Sequence, residues 1–196
     1  MSRSRAEMIE ATRGKLLATA RHAFQHRGYA GTSMDDFTAA AGLTRGALYH
    51  HFGDKKGLLA AVVEQIDREI DDRLNAISAQ VADPWTAFRE RCRAYLQMAA
   101  EPEIRRIVLQ DARAVLGPAS DAAQQQCIAS LVTLLQRLID ERVIDAASPE
   151  ALARLINGTL TEGAFWIAGA PDDAPLRLAQ AQNALDLMLR GLLRPR

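Results

Sequence analysis

The sequence predicts an all-α chain of about nine helices. Three observations lead there. Ala, Leu, Arg, Glu and Gln dominate, and all are good helix formers. No segment shows the period-two alternation of Val, Ile, Tyr and Thr that marks a strand. Gly, Pro and Asp recur as punctuation at helix-length intervals.

The first helix is expected over residues 4–27, with Ile9, Leu16, Ala20 and Phe24 near one face and Gly28 ending it. Thr32 is expected to open a short second helix, because "TSMD" places Asp35 three residues after a Thr, as in a capping box. Met34, Phe37 and Ala41 then face inward, and Gly42 breaks the helix. Thr44 is a plausible N-cap for a third helix ending near Phe52 and Gly53. Asp54 caps a long fourth helix over 54–80.

"ADPWTAF" stops that helix, since proline is tolerated only near a helix start. A fifth helix is expected over about 84–100. "EPEIRR" begins a sixth, which ends before "LGPAS". A seventh spans roughly 120–143. Ser148 and Pro149 open an eighth, ending near Gly169. The loop "GAPDDAP" leads to a ninth, ending near Leu193. No internal repeat and no low-complexity tract interrupts the series.

Composition narrows the function classes. Of 196 residues about half are apolar, enough for a sizeable core. No apolar run approaches the ~20 residues of a membrane span, and "MSRSRAEMIE" has no apolar signal core. The expectation is a cytoplasmic protein with no membrane partner. The two cysteines, Cys92 and Cys127, make no disulfide framework and no CxxC motif. Two small buried hydrophobes are expected, with a redox-responsive pair as the alternative. Net charge is zero, yet residues 1–57 hold nine Lys and Arg against five Asp and Glu. All three Lys and all four His lie there too. That asymmetry points to an N-terminal surface for anions.

The stretch "LTRGALYHHFGDKKGLL", residues 43–59, concentrates these groups. Leu48 and Phe52 stand four apart, so they share a helix face that can dock on Phe24, Phe37 and Ala41. Thr44, Arg45, Gly46, Tyr49 and His50 are left outward. Two short helices joined by the tight turn "AAGLT" make a helix-turn-helix, whose second helix enters the DNA major groove N-terminus first. On that reading Arg45 holds a guanine edge or a phosphate. Gly46 lets the backbone come close, Tyr49 offers a hydroxyl and a ring, and His50 reaches phosphate or base. Lys55 and the start of the fourth helix clamp the DNA backbone, as do Thr32 and Ser33 at the second. His51 is expected to pack inward, and Lys56 to be solvated. A metal site does not fit, because adjacent His50 and His51 diverge by about 100° on a helix. A catalytic site does not fit either. Asp54 has no Ser or Cys nucleophile beside a His, and no GxSxG, HExxH or phosphate-binding glycine loop occurs.

The longer run "ARHAFQHRGYAGTSMDDFTAAAGLTRGALYHHFGDKKGLL" resembles the DNA-binding domain of TetR/AcrR-family transcriptional regulators. The resemblance is carried by Phe24, Gly28, Tyr29, Thr32, Ala41, Gly42, Gly46, Leu48, Tyr49, His51, Phe52, Lys55 and Leu58. Phe37-Thr38 departs from the family's more frequent Ile-Ala, which changes core packing rather than the outward surface. The resemblance covers the first quarter to third of the chain. It implies a helix-turn-helix domain over 1–53 and a helical regulatory domain over 54–196, joined through the helix at 54–80. It also implies a double-stranded DNA operator, a small-molecule effector and a homodimer paired through the last two helices, about 149–169 and 174–193. No cofactor is implied.

The sequence bears on the dimer independently. The last two helices carry more apolar surface than one core face needs, which suggests a partner surface. A pocket is harder to read. Trp85, Phe88, Tyr95, Phe165 and Trp166 supply aromatics, and Gln110, Asp111, Asn157, Thr161 and Glu162 supply polar groups. From these, Phe88, Tyr95, Gln110, Asp111, Asn157, Thr161 and Phe165 are the candidate ligand contacts. Arg113 joins them, paired either with Asp111 or with a ligand carboxylate. The expected function is a ligand-responsive regulator, most simply a repressor released from DNA by a small molecule. The alternatives are a redox-responsive regulator acting through Cys92 or Cys127 and a helical enzyme or carrier that retains the fold.

Overall fold

A computed structural model describes residues 4–42, 44–119 and 121–195, the side chains at 5, 6, 36, 41 and 121–123 excepted. Among the described residues the chain is all-helical, with nine α-helices. They are α1 (Arg5–Arg27), α2 (Met34–Ala41), α3 (Arg45–Phe52), α4 (Lys55–Gln80), α5 (Pro84–Met98), α6 (Arg113–Leu116), α7 (Asp121–Asp140), α8 (Pro149–Ala168) and α9 (Ala174–Arg190). A 3₁₀ turn, Pro171–Asp173, precedes α9. The expected inward contact of Ala41, the turn residue Leu43 and the expected helix start at Ser120 lie outside the described residues.

Local chemistry sets most of these boundaries. Ser4 caps α1 in a full capping box with Glu7. Asp83 caps α5 and Ser148 caps α8, each followed by Pro at the first helical position. The Gly57 amide donates to Asp54 Oδ1 at 2.7 Å, so Asp54 caps α4.

The sixth helix departs from expectation. Ile104–Ala112 is a π-helix, and only Arg113–Leu116 is α-helical. Such π segments are rare and tend to sit at functional positions.

The chain divides into two compact units. One comprises Met1–Ile66 with Arg106–Pro118, and the other Asp67–Arg105 with Ala119–Arg196. The expected division at 53/54 therefore falls inside the first unit. Both α4 and the π-helix run from one unit into the other.

In the first unit α1, α2 and α3 close around Leu16, Ala20, Phe24, Phe37 and Leu48, all buried. Full burial of Leu48 alone contributes ~1.5–3 kcal/mol. Ile9, expected near the same face, is instead 44% exposed. Phe52 is half-buried, with the Arg13 guanidinium 5.7 Å from its ring centre.

In the second unit α7 and α8 pack together, and α5 packs on α7, α8 and α9. Phe88, Cys92, Leu135, Leu138 and Ile167 fill the centre. Arg91 is buried there at 4% exposure and donates to Asn75 Oδ1 (2.9 Å) and Ser130 Oγ (2.8 Å). Burial pulls its pKa down, opposed by the charge of Asp71. Arg93 ties α5 to α9 through Asp186 Oδ2 at 2.7 Å.

Candidate nucleic-acid interface

The turn between α2 and α3 explains why two eight-residue helices hold one geometry. Gly42 ends α2 with φ 61° and ψ 36°, a left-handed conformation suited to glycine, and its amide bonds back to Ala39 O. Thr44 then starts α3, its Oγ1 accepting from the Ala47 amide at 3.2 Å. Leu48 points into the core of the first unit. Thr44, Arg45, Gly46, Tyr49 and His50 are solvent-exposed, Tyr49 at 45%. A Cβ on Gly46 would meet nothing nearer than Thr44 Oγ1 at 3.9 Å. Packing within the chain therefore does not require glycine there.

Arg45 is held from two sides. Its Nη1 lies 3.0 Å from Asp35 Oδ1 on α2. Its Nη2 donates to the Tyr49 hydroxyl at 3.5 Å, and its guanidinium carbon sits 5.8 Å from the Tyr49 ring centre. The Tyr49 bond and the Asp35 charge raise the Arg45 pKa further.

Lys55, at the start of α4, stands over the Tyr29 ring with its Nζ 4.2 Å from the centroid. Partial burial lowers its pKa, and the charge of Asp111 opposes that. The ammonium is thus positioned rather than freely mobile. The Tyr29 amide donates to Asp111 Oδ2 at 2.7 Å. Arg106 lies 3.5 Å from the same carboxylate oxygen. A Cβ on Gly28 would collide with the Arg106 guanidinium, and Gly28 has φ 72°. The π-helix thereby grips the turn that leads from α1 into α2.

Several expectations change. The N-cap of α2 is Ser33, not Thr32, with Ser33 Oγ accepting from the Asp35 amide at 3.3 Å. Thr32 is 3% exposed and donates its hydroxyl to Gly28 O at 2.8 Å. Buried and bonded, that hydroxyl is unavailable to a phosphate. Asp111 Oδ2 is engaged by both Tyr29 and Arg106. Gln110 and Arg113 belong with it to the segment packed in the first unit, whereas Phe88, Tyr95, Asn157, Thr161 and Phe165 belong to the second. The eight candidate ligand contacts thus do not form one set within one unit. Phe88 is fully buried beside Trp85, ring centres 6.1 Å apart. Tyr95 is half-buried, desolvation raises its pKa, and its hydroxyl bonds with Thr161. Trp166 lies on the surface rather than in the interior.

Sequence reading missed Asp35 as the partner of Arg45, and Arg106 and Asp111 as the grip on Gly28–Tyr29. Asp35 was legible only as a helix-start acid. Ten residues of separation hide the pairing until the turn folds back.

The second unit presents one feature that its core does not use. Leu155 and Trp166 on α8 stand eleven residues apart, as do Leu176 and Leu187 on α9. Eleven residues are close to three full turns, so each pair shares a face. Leu155 is 70% and Leu187 68% exposed. Between α8 and α9 an apolar groove of about 400 Å³ is lined by Leu96, Leu160, Gly163, Trp166, Leu185 and Met188 among others.

A short glycine-broken helix-turn-helix with a donor-rich outer face, leading an otherwise helical chain, defines the class of DNA-binding transcriptional regulators. More narrowly, the chain belongs to the TetR family. Residues 16–62 match the model of bacterial regulatory proteins of the tetR family, and residues 85–192 match the tetracyclin repressor-like C-terminal domain. A crystal structure of a TetR-family transcriptional regulator from Pectobacterium atrosepticum is 64% identical, with a TM-score of 0.93 over 99% of this chain and 100% of that one. The Transposon Tn10 TetC protein of Escherichia coli is 27% identical over 78% of each chain. The HTH-type transcriptional regulator CymR of Pseudomonas putida is 40% identical, but over only 40% of this chain and 39% of that one. No described helix is long and apolar enough to cross a membrane.

Proposed function

We propose that this protein is a ligand-released repressor that binds a pseudo-palindromic operator as a homodimer. The observation that carries the reading is the outer face of α3. There Thr44, Arg45, Gly46, Tyr49 and His50 stand exposed while Leu48 anchors the helix from behind. Arg45 reads a base edge, and Ser33 and Lys55 hold phosphates. Gly46 allows close approach, since nothing in the chain itself occupies the space where its side chain would be.

The exposed Leu155, Trp166, Leu176, Leu187 and Met188 support pairing of α8 and α9 with those of a second copy. A symmetric dimer carries two recognition helices ~34 Å apart, one turn of DNA. The effector binds in the second unit, with Tyr95, Asn157, Thr161 and Phe165 as its candidate contacts. Its differential affinity for two dimer states is transmitted along α4 and the π-helix, the elements shared by both units. A coupling of ~1–3 kcal/mol is expected, felt equally by DNA and effector.

The thiols do not favour a redox switch. Burial pushes the Cys92 thiol up to about 12 and Cys127 up to about 11, so neither is an appreciable thiolate at neutral pH.

The test is fluorescence anisotropy on duplex from upstream of the protein's own gene, with a random duplex as control, across a salt series. Salt-sensitive binding with a large preference for the upstream fragment is expected. Absence of binding to either duplex at low salt, after any co-purified small molecule is stripped, would overturn the reading.

A further inference from the structure

We infer that Asp35 is a specificity-determining residue: it holds the Arg45 guanidinium aimed for a base edge without touching the base itself. The inference rests on the reading of α3 as the recognition helix and deepens it.

A solvent-exposed arginine samples many rotamers, and ordering it on a base costs about a two- to tenfold loss of affinity. In the DNA-free protein Arg45 is already held from two sides. Asp35 Oδ1 takes one side of the fork through Nη1 at 3.0 Å. Tyr49 takes the other through Nη2 at 3.5 Å, with its ring alongside. Each terminal nitrogen carries two N–H groups, so both retain one, and Nε retains its own. Donors therefore remain for the O6 and N7 of a guanine.

Asp35 is well placed to do this because its backbone is fixed. It sits in the first turn of α2, where a negative charge is favoured and Ser33 caps its amide. Its carboxylate is itself exposed, so its charge also acts on any DNA that approaches. Away from the operator that charge repels DNA, while at the operator the positioned Arg45 compensates. On random duplex only the repulsion acts, whereas on the operator the positioning of Arg45 opposes it, which makes the two separable.

The experiment compares wild type, Asp35→Ala, Asp35→Asn, Arg45→Ala and the Asp35→Ala/Arg45→Ala double variant. Each is assayed by selection from a randomised duplex pool, by anisotropy on the selected site and on a random duplex, and by thermal unfolding. Asp35→Ala is expected to weaken binding to the selected site by about two- to tenfold while leaving random-duplex binding unchanged or tighter. It should relax base preference at the same symmetric pair of positions as Arg45→Ala, and nowhere else. Asp35→Asn, which keeps an acceptor but not the charge, should fall between wild type and Ala. In the Arg45→Ala background the Asp35 change should no longer weaken specific binding. Equal tightening on both duplexes, or an unchanged base preference in Asp35→Ala, would overturn the proposal. Should Arg45→Ala itself leave preference intact, the reading of α3 fails first, and the role of Asp35 falls with it.

Discussion

Gly28→Ala is the substitution whose cost can be worked most fully from the geometry. Gly28 ends α1 with φ 72° and ψ 170°, a region essentially reserved for glycine. Forcing alanine there costs ~1–3 kcal/mol in backbone strain. The added Cβ would also run into the Arg106 guanidinium. That second effect is smaller, because the obstacle is the end of a flexible side chain that can swing away. What is lost is the partly exposed Arg106–Asp111 pair, worth no more than ~1 kcal/mol. The backbone effect therefore dominates. Urea unfolding of the first unit should show a loss of ~1–4 kcal/mol in Gly28→Ala, and most of it should persist when Arg106→Ala is added. Trp85 and Trp166 both lie in the second unit, so tryptophan fluorescence is the wrong probe. Far-UV circular dichroism with amide exchange of α1 to α3 is the right one. If Arg106→Ala restored full stability, the clash would be the whole effect and the backbone argument would be wrong. If Gly28→Ala cost nothing, both would be wrong.

Other outcomes follow from the same geometry. Arg45→Ala is expected to weaken operator binding by ~1–3 kcal/mol and to relax selectivity, as read by anisotropy on operator and random duplexes. Leu187→Glu should shift the protein from dimer to monomer in sedimentation velocity, and operator affinity should fall with it, whereas an unchanged dimer would place the interface elsewhere. Cys92 should resist a thiol reagent in the folded protein and react only on unfolding, because burial holds its thiol at about 12. The sign of the linked stability is set by the same shift. The folded pKa lies above the unfolded value of 9.0, so this contribution is complete below pH 9 and is lost as pH rises toward about 12. Unfolding midpoints measured across that window in wild type and Cys92→Ala would test it.

The grip of the π-helix on the first unit gives the two-state idea a physical location. Asp111 holds the Tyr29 amide, and Lys55 stands on the Tyr29 ring. Tyr29 thus links the π-helix, the α1–α2 turn and the start of α4. A shift of the π-helix would be felt first at Gly28 and Tyr29, the segment that leads directly to Ser33 and α2. Amide exchange of Tyr29 with and without an effector reads that step directly.

The sequence alone carried most of the helices and the outward face of α3. Caps at Thr44, Asp54 and Ser148 and breaks at Gly28, Gly42 and Gly53 are local chemistry, so they are legible residue by residue. The outward set around Arg45 follows from helical period, and the DNA-binding class follows from it. Tertiary structure decided what depends on distant chain segments meeting. It moved the α2 cap from Thr32 to Ser33, because Thr32 is drawn inward to bond Gly28. It paired Arg45 with Asp35 across a turn. It set Asp111 on Tyr29, eighty-two positions away. Periodicity records which side of its own helix a residue occupies, but a carboxylate's partner is chosen by whichever donor the completed fold brings within 3 Å, and no local pattern carries that information.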